Sequence, residues 1–176
     1  MDHSTSVMSV CDLLDLLHKI SCKYNRHKNK TIKGKYIEQC RNLLINVDVI
    51  NDESIHTAGC YGTTLLENVV YTHSIELMNV FIHEFGFDIK LEPFNGIRLL
   101  QKASDDYDML EYILRYVNTS DLNKKYHTVI SSGGYILDVI FDKTIINNDI
   151  IELFIINGAK KVSKKYKHLY ELYKID

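Results

Sequence analysis

The sequence predicts an all-α fold: a short solenoid of paired helices closed by a C-terminal capping helix. Three observations carry this. Glycine-led segments recur at positions 62, 96 and 133, spaced by 34 and 37 residues, and a period of roughly 20–50 residues is the mark of a repeat architecture. Each segment continues as a short apolar run, a polar turn, an acidic residue and a second apolar run. A single proline, Pro93, and 8 glycines leave few places where helices must break.

The first element of each unit follows its glycine: Thr63 to Val70, Ile97 to Ser104 and Gly134 to Phe141. The second element starts near an acid. Glu76, Asp108 and Asp149 are placed to meet the positive end of the helix dipole. Behind them come Leu77, Met78, Val80, Phe81 and Ile82, then Met109, Leu110, Tyr112, Ile113 and Leu114, then Ile150, Ile151, Leu153, Phe154 and Ile155. Helices apolar over so wide an arc must be sandwiched between neighbours. Gly158 is predicted to close the last of them in a left-handed conformation.

The repeats are expected over residues 60–89, 93–118 and 131–160, within a block of residues 51–160, and the third carries a turn insertion between its helices. Residues 1–50 read as a divergent helical unit, with Val10–Leu17 as its first helix and Tyr36–Ile45 as its second. Between them, Lys23, Arg26, Lys28, Lys30, Lys33 and Lys35 form a basic inserted loop without an acid. Residues 161–176 read as the cap. Ser163 is the expected N-cap, and Tyr166, Leu169, Tyr170 and Tyr173 make one stripe at helical spacing.

Composition bounds the function. Apolar residues make up 45% and charged residues 25%, as in ordinary globular chains, and the net charge of −2 gives no global pull on nucleic acid or membranes. No apolar run reaches the roughly 20 residues of a membrane span, and no signal peptide is recognised at the start. The four cysteines, Cys11, Cys22, Cys40 and Cys60, lack CxxC pairing and are read as reduced thiols. His18 with Cys22 and His56 with Cys60 are loose pairs four apart, which is not the paired spacing of structural zinc. Ser131-Ser-Gly-Gly134 lacks the phosphate-loop lysine, and the Asp105, Asp106, Asp108 cluster sits in a turn. No catalytic, cofactor-binding or metal-ligating set is predicted.

Gly62-Thr-Thr-Leu-Leu-Glu-Asn-Val69 and Ile150-Ile-Glu-Leu-Phe-Ile-Ile-Asn-Gly-Ala159 resemble the ankyrin repeat family. The family's proline position is held by Leu65, Leu99 or Ile136, and its histidine position by Glu67, Gln101 or Asp138, so the hydrogen bonds that knit adjacent turns must differ here. The Ile/Asn/Lys/Tyr-rich wording is similar to the ankyrin proteins of poxviruses and other large DNA viruses. That resemblance implies an intracellular protein of the host cytoplasm that binds a host immune-signalling or host-range factor. No ligase-recruiting segment is recognised after the cap, so blocking or sequestration is the expected mode. The resemblance also places the working surface on loop tips, at His56, Tyr61, Glu92, Phe94, Asn95, Tyr126 and His127, and on the first helices, at Asn68, Tyr71, Lys102, Asp105 and Asp106. Self-association as a structural subunit, and phosphate or nucleic-acid binding through the basic loop 23–35, are the rival expectations.

Overall fold

The computed structural model describes residues 15–20, 22–23, 30–44, 63–128, 131–143 and 146–173. The chain is mostly helical and divides into two compact units, Met1–Asp88 and Ile89–Asp176. Among the described residues no helix is long and apolar enough to cross a membrane.

In the first unit, residues 15–20 are helical, and α1 spans Lys30–Leu44. Ile37, Cys40 and Leu44 line the buried stripe of α1, at the i, i+3, i+7 spacing that a half-buried helix requires. Two expectations are corrected here. The first helical segment is still helical at Ile20, and Cys22 and Lys23 are helical too, beyond the expected end at Leu17. Lys30, Lys33 and Lys35, read as loop residues, lie on α1, because an uninterrupted run without proline extends the helix toward its N-terminus. The rest of the basic stretch, Arg26 and Lys28 included, lies outside the described residues, as do residues 10–14 of the first predicted helix.

Helix α2 (Leu65–Val70) is opened by a capping box. The Thr64 hydroxyl accepts from the Glu67 N–H at 3.2 Å, and a Glu67 carboxylate oxygen accepts from the Thr64 N–H at 3.4 Å. Ser74 caps α3 (Ile75–Asn79), which continues as a π-helical turn over Val80–Glu84. Gly86 then turns left-handed at φ +73°. The π turn absorbs one extra residue: Ser74 and Gly86 are twelve positions apart, whereas the matching cap and glycine of the third repeat, Asn147 and Gly158, are eleven apart. Phe87 therefore still folds back, its ring meeting Phe81 edge-on at 5.3 Å. Arg41 of α1 donates to both carboxylate oxygens of Glu84 at 2.7 Å, tying α1 to the end of this helix pair.

The second unit contains the other two helix pairs. Helices α4 (Ile97–Lys102) and α5 (Tyr107–Leu114) form one. A short α6 (Thr119–Leu122) and a two-stranded hairpin, β1 (Tyr126–Thr128) with β2 (Ser131–Gly134), lead to α7 (Ile136–Phe141) and α8 (Asn148–Ile156). The strands pair antiparallel, with Tyr126 opposite Gly134. This hairpin is a small departure from the all-helical expectation. Helix α4 packs on α5 and on α7, and α8 packs on α7 and on α5, so first helix lies on first helix and second on second.

The pairs share one burial register. Leu65, Leu99 and Ile136 are buried, as are Leu66, Leu100 and Leu137, and Val69, Ala103 and Ile140. On the second helices Met78, Leu110 and Ile151 are fully enclosed, and so are Phe81, Ile113 and Phe154. The acids Glu76, Asp108 and Asp149 lie in the first turns as expected, but the caps are Ser74, Asp106 and Asn147, whose side chains accept the exposed N–H groups. Gly158 is left-handed at φ +91°, and the N–H groups of Gly158 and Ala159 bond to the carbonyls of Ile155 and Phe154.

The cap is a 3-10 turn at Lys164–Tyr166 followed by α9 (Lys167–Tyr173). Ser163 stands at the N-cap of this turn as expected, its carbonyl accepting from the Tyr166 N–H at 3.0 Å, but its side chain makes no cap bond. Of the tyrosine stripe, Tyr166 is buried and Leu169, Tyr170 and Tyr173 are half-buried. The Tyr166 and Tyr173 rings meet Phe141 at 5.8 and 6.2 Å, and the Tyr173 hydroxyl donates to Asn148 at 2.7 Å.

Candidate functional site

The loop between the 3-10 turn at Ile89–Leu91 and α4 carries three successive left-handed residues: Phe94 at φ +57°, Asn95 at +54° and Gly96 at +82°. Glycine is required at the third, since a Cβ there would come within 2.6 Å of Ile89 Cγ2. A bulky side chain such as Phe94 in this region costs roughly 1–2 kcal/mol, a strain that persists only where the surroundings fix it.

Asn95 supplies part of that fixation. Its amide donates to Asp121 Oδ1 at 3.2 Å. Asp121 is buried on α6 and also accepts from Lys124 Nζ at 2.6 Å and from the Asn118 amide at 3.4 Å. The Lys124 bond holds this carboxyl below the usual aspartate range, with Asn95 and Asn118 adding to it against the opposing effect of burial. One carboxylate thus joins the 94–96 loop to the loop that leads into the hairpin.

The aromatic side of the same place is built by Phe94 and Tyr126, whose ring centroids lie 6.1 Å apart. Phe94 is 46% exposed and Tyr126 only 5%. The Tyr126 hydroxyl donates to the Tyr135 carbonyl at 3.0 Å and shares a hydrogen bond with Gln101, and burial pushes this phenol up to about 12. Together with Asn95, Asp121, Lys124 and Lys125 the two rings line a hollow of about 200 Å³. Lys125 reaches over the Tyr135 ring at 5.7 Å. The hollow offers an apolar floor, one protruding ring, and at its rim the Lys124–Asp121 pair and the Lys125 ammonium.

The structure separates the sequence-predicted residues. Phe94 and Asn95 stand at the loop tip as expected. Glu92 does not, being 2% exposed beneath the turn. Tyr126 is corrected from a tip residue to the buried wall of the hollow, because its ring covers apolar surface under Phe94. His127 lies on β1. Asp106 is spent as the N-cap of α5, accepting from the Met109 N–H at 3.1 Å. Asp105 is exposed and pairs with Lys143. Asn68 braces α2 by donating to the Thr64 carbonyl at 3.0 Å. Tyr71 is exposed at the end of α2, and Lys102 half-buried at the end of α4. His56 and Tyr61 lie outside the described residues. Sequence reasoning missed Asp121, Lys124 and Lys125; the Lys-Lys-Tyr run at 124–126 was the available signal.

Gln101 and Asp138, which stand at equivalent places after Gly96 and Gly133, both make hydrogen bonds to other segments. Gln101 reaches Tyr126. Asp138 accepts from the Tyr135 N–H and the Ser163 N–H, both at 2.9 Å. His18 Nε2 and Cys22 Sγ lie 3.5 Å apart, while His56 and Cys60 are outside the described residues. Among the described residues no group of three or more histidine, cysteine, aspartate or glutamate side chains is placed to hold a metal ion.

Neither a family model nor a curated protein nor a solved structure matches this chain.

Proposed function

We propose that this chain is an ankyrin-type binding module without catalytic chemistry, which occupies and blocks a host intracellular protein on behalf of a large DNA virus. The observation that carries the binding reading is Phe94: a half-exposed aromatic ring held out on a left-handed loop, beside a hollow with a basic rim. Aromatic anchors of this kind dominate the energetics of protein interfaces. The recurring helix pairs with matched burial, and the stacking of α7 on α4 and α8 on α5, support the repeat reading. The viral setting rests on the resemblance of the repeat wording alone.

Photo-crosslinking from position 94 in host-cell lysate tests the proposal. The expected result is a discrete host adduct that is competed away by excess parent protein and not by excess Phe94→Ala. The loss of a hot-spot ring should weaken binding by about thirtyfold, equivalent to about 2 kcal/mol. Adducts only with other copies of the chain, or equal competition by Phe94→Ala, would overturn it.

A further inference from the structure

Two surface stripes, one in each unit, are both partly apolar and carry opposite charges. In the first unit, Leu16, Lys19, Ile20 and Lys23 follow the i, i+3, i+4, i+7 spacing of one helix face. With Leu43 of α1 they line a largely apolar groove of about 440 Å³. Ile20 forms part of its floor, whereas Leu16, Lys19 and Lys23 are exposed. In the second unit, Asp149, Glu152, Leu153 and Ile156 follow the same spacing along α8. They line a groove of about 300 Å³ with Tyr107 at the start of α5. Leu153 is buried there, but Ile156 is 73% exposed and Tyr107 is exposed too.

Some surface charges are paired, as in Arg41 with Glu84, Arg115 with Glu111 and Lys165 with Asp142, and others, such as Asp108, Lys125 and Lys160, have no ion pair with a described residue. Lys19, Lys23, Asp149 and Glu152 make no ion pair with any described residue. One groove therefore presents apolar side chains flanked by two free ammonium groups. The other presents apolar side chains flanked by two free carboxylates.

We propose that these stripes bind one another between copies of the chain, head to tail, the α8 groove of one copy receiving the 16–23 stripe of the next. Opposite charges at the rim fix the partner and the register, and the apolar floor supplies the adhesion. A heterologous contact of this kind leaves one stripe of each kind open at the ends, so it builds chains or closes into rings. The grooves are small against a standard interface, so association is weak, concentration-dependent and reduced by salt.

Sedimentation velocity of the full chain, from low micromolar to submillimolar concentration, tests this. The parent protein's average mass should rise with concentration and fall back at high salt. Lys19→Glu with Lys23→Glu, and separately Asp149→Lys with Glu152→Lys, should each weaken self-association by about tenfold or more. An equimolar mixture of the two should associate again, since each reversed stripe then meets a reversed groove. Circular dichroism checks that both variants keep the parent helix content, and the milder Lys19→Ala with Lys23→Ala should give a smaller loss of the same sign. Phe94→Ala should self-associate like the parent, which separates this contact from the loop-tip site. A parent monomeric at every concentration, a charge-reversed variant that associates like the parent, or a mixture that stays monomeric would overturn the proposal.

Discussion

Asp138 Oδ1 accepts a 2.9 Å hydrogen bond from the backbone N–H of Ser163, while its other oxygen accepts from the Tyr135 N–H at the start of α7. One carboxylate thus closes its own helix and fastens the segment that leads into the cap. Asp138→Ala removes a capping interaction worth about 1 kcal/mol and a charge-assisted bond worth about 1.5–3 kcal/mol. Urea unfolding should show a loss of about 2–4 kcal/mol. Asp138→Asn, which retains acceptor oxygen, should lose less. Equal losses for the two would mean that packing, and not hydrogen bonding, sets the cost.

Gly158 meets two demands at once. Its φ is +91°, and a Cβ there would come within 2.4 Å of Thr119 Cγ2. Gly158→Ala should cost about 2–3 kcal/mol, combining left-handed strain with overpacking. Adding Thr119→Ser removes the obstructing methyl and keeps the hydroxyl that donates to the Asn157 carbonyl at 3.4 Å. The double variant should recover about 1 kcal/mol. No recovery would place the whole cost in the backbone.

The Asp121 carboxyl titrates below its ordinary value because Lys124 donates to it. A depressed folded-state pKa adds stability above the unfolded carboxylate range, and that contribution fades as pH falls through the folded value. Asp121→Asn should therefore be about 1–2 kcal/mol less stable than the parent at neutral pH. The difference should shrink below about pH 4. Urea titrations across that range measure it, and a difference that does not vary with pH would rule out the carboxylate's charge as its source.

Cys40 is fully enclosed on α1, and burial pushes its thiol up to about 12, whereas Cys22 is exposed. Thiolate is the reactive form. Brief iodoacetamide treatment of the native protein, followed by peptide mapping, should label Cys22 at least about tenfold more than Cys40, and denaturant should erase the difference. Comparable labelling of both before denaturation would show that the α1 stripe opens readily.

Much of the helical frame was legible in the sequence because burial follows period. Leu65, Leu99 and Ile136 align by the glycine spacing, and each is enclosed. The acidic first turns and the Gly158 cap were readable for the same reason, being local chemistry with local cause. The candidate site was only partly legible. Phe94 and Asn95 stand out at the tip, but Glu92, two residues earlier, is turned under the loop. Which side of a loop a residue faces depends on backbone dihedrals that neighbouring elements impose; Asn95-Gly96 signals a turn, but nothing in the chain itself signals the left-handed Phe94.

By itself the sequence determined that this protein pairs short greasy helices at near-regular intervals, because helices apolar over a wide arc have no stable alternative to mutual burial. Only the tertiary structure decided that the second helix of the first pair takes up its extra residue in a π turn, that Tyr126 walls the hollow, and that Asp121 gathers Asn95, Asn118 and Lys124. The physical reason is reach. Periodicity acts within a few turns of one helix, whereas each of these features is fixed by groups packed against it from elsewhere in the fold, and no local pattern encodes where those groups will stand.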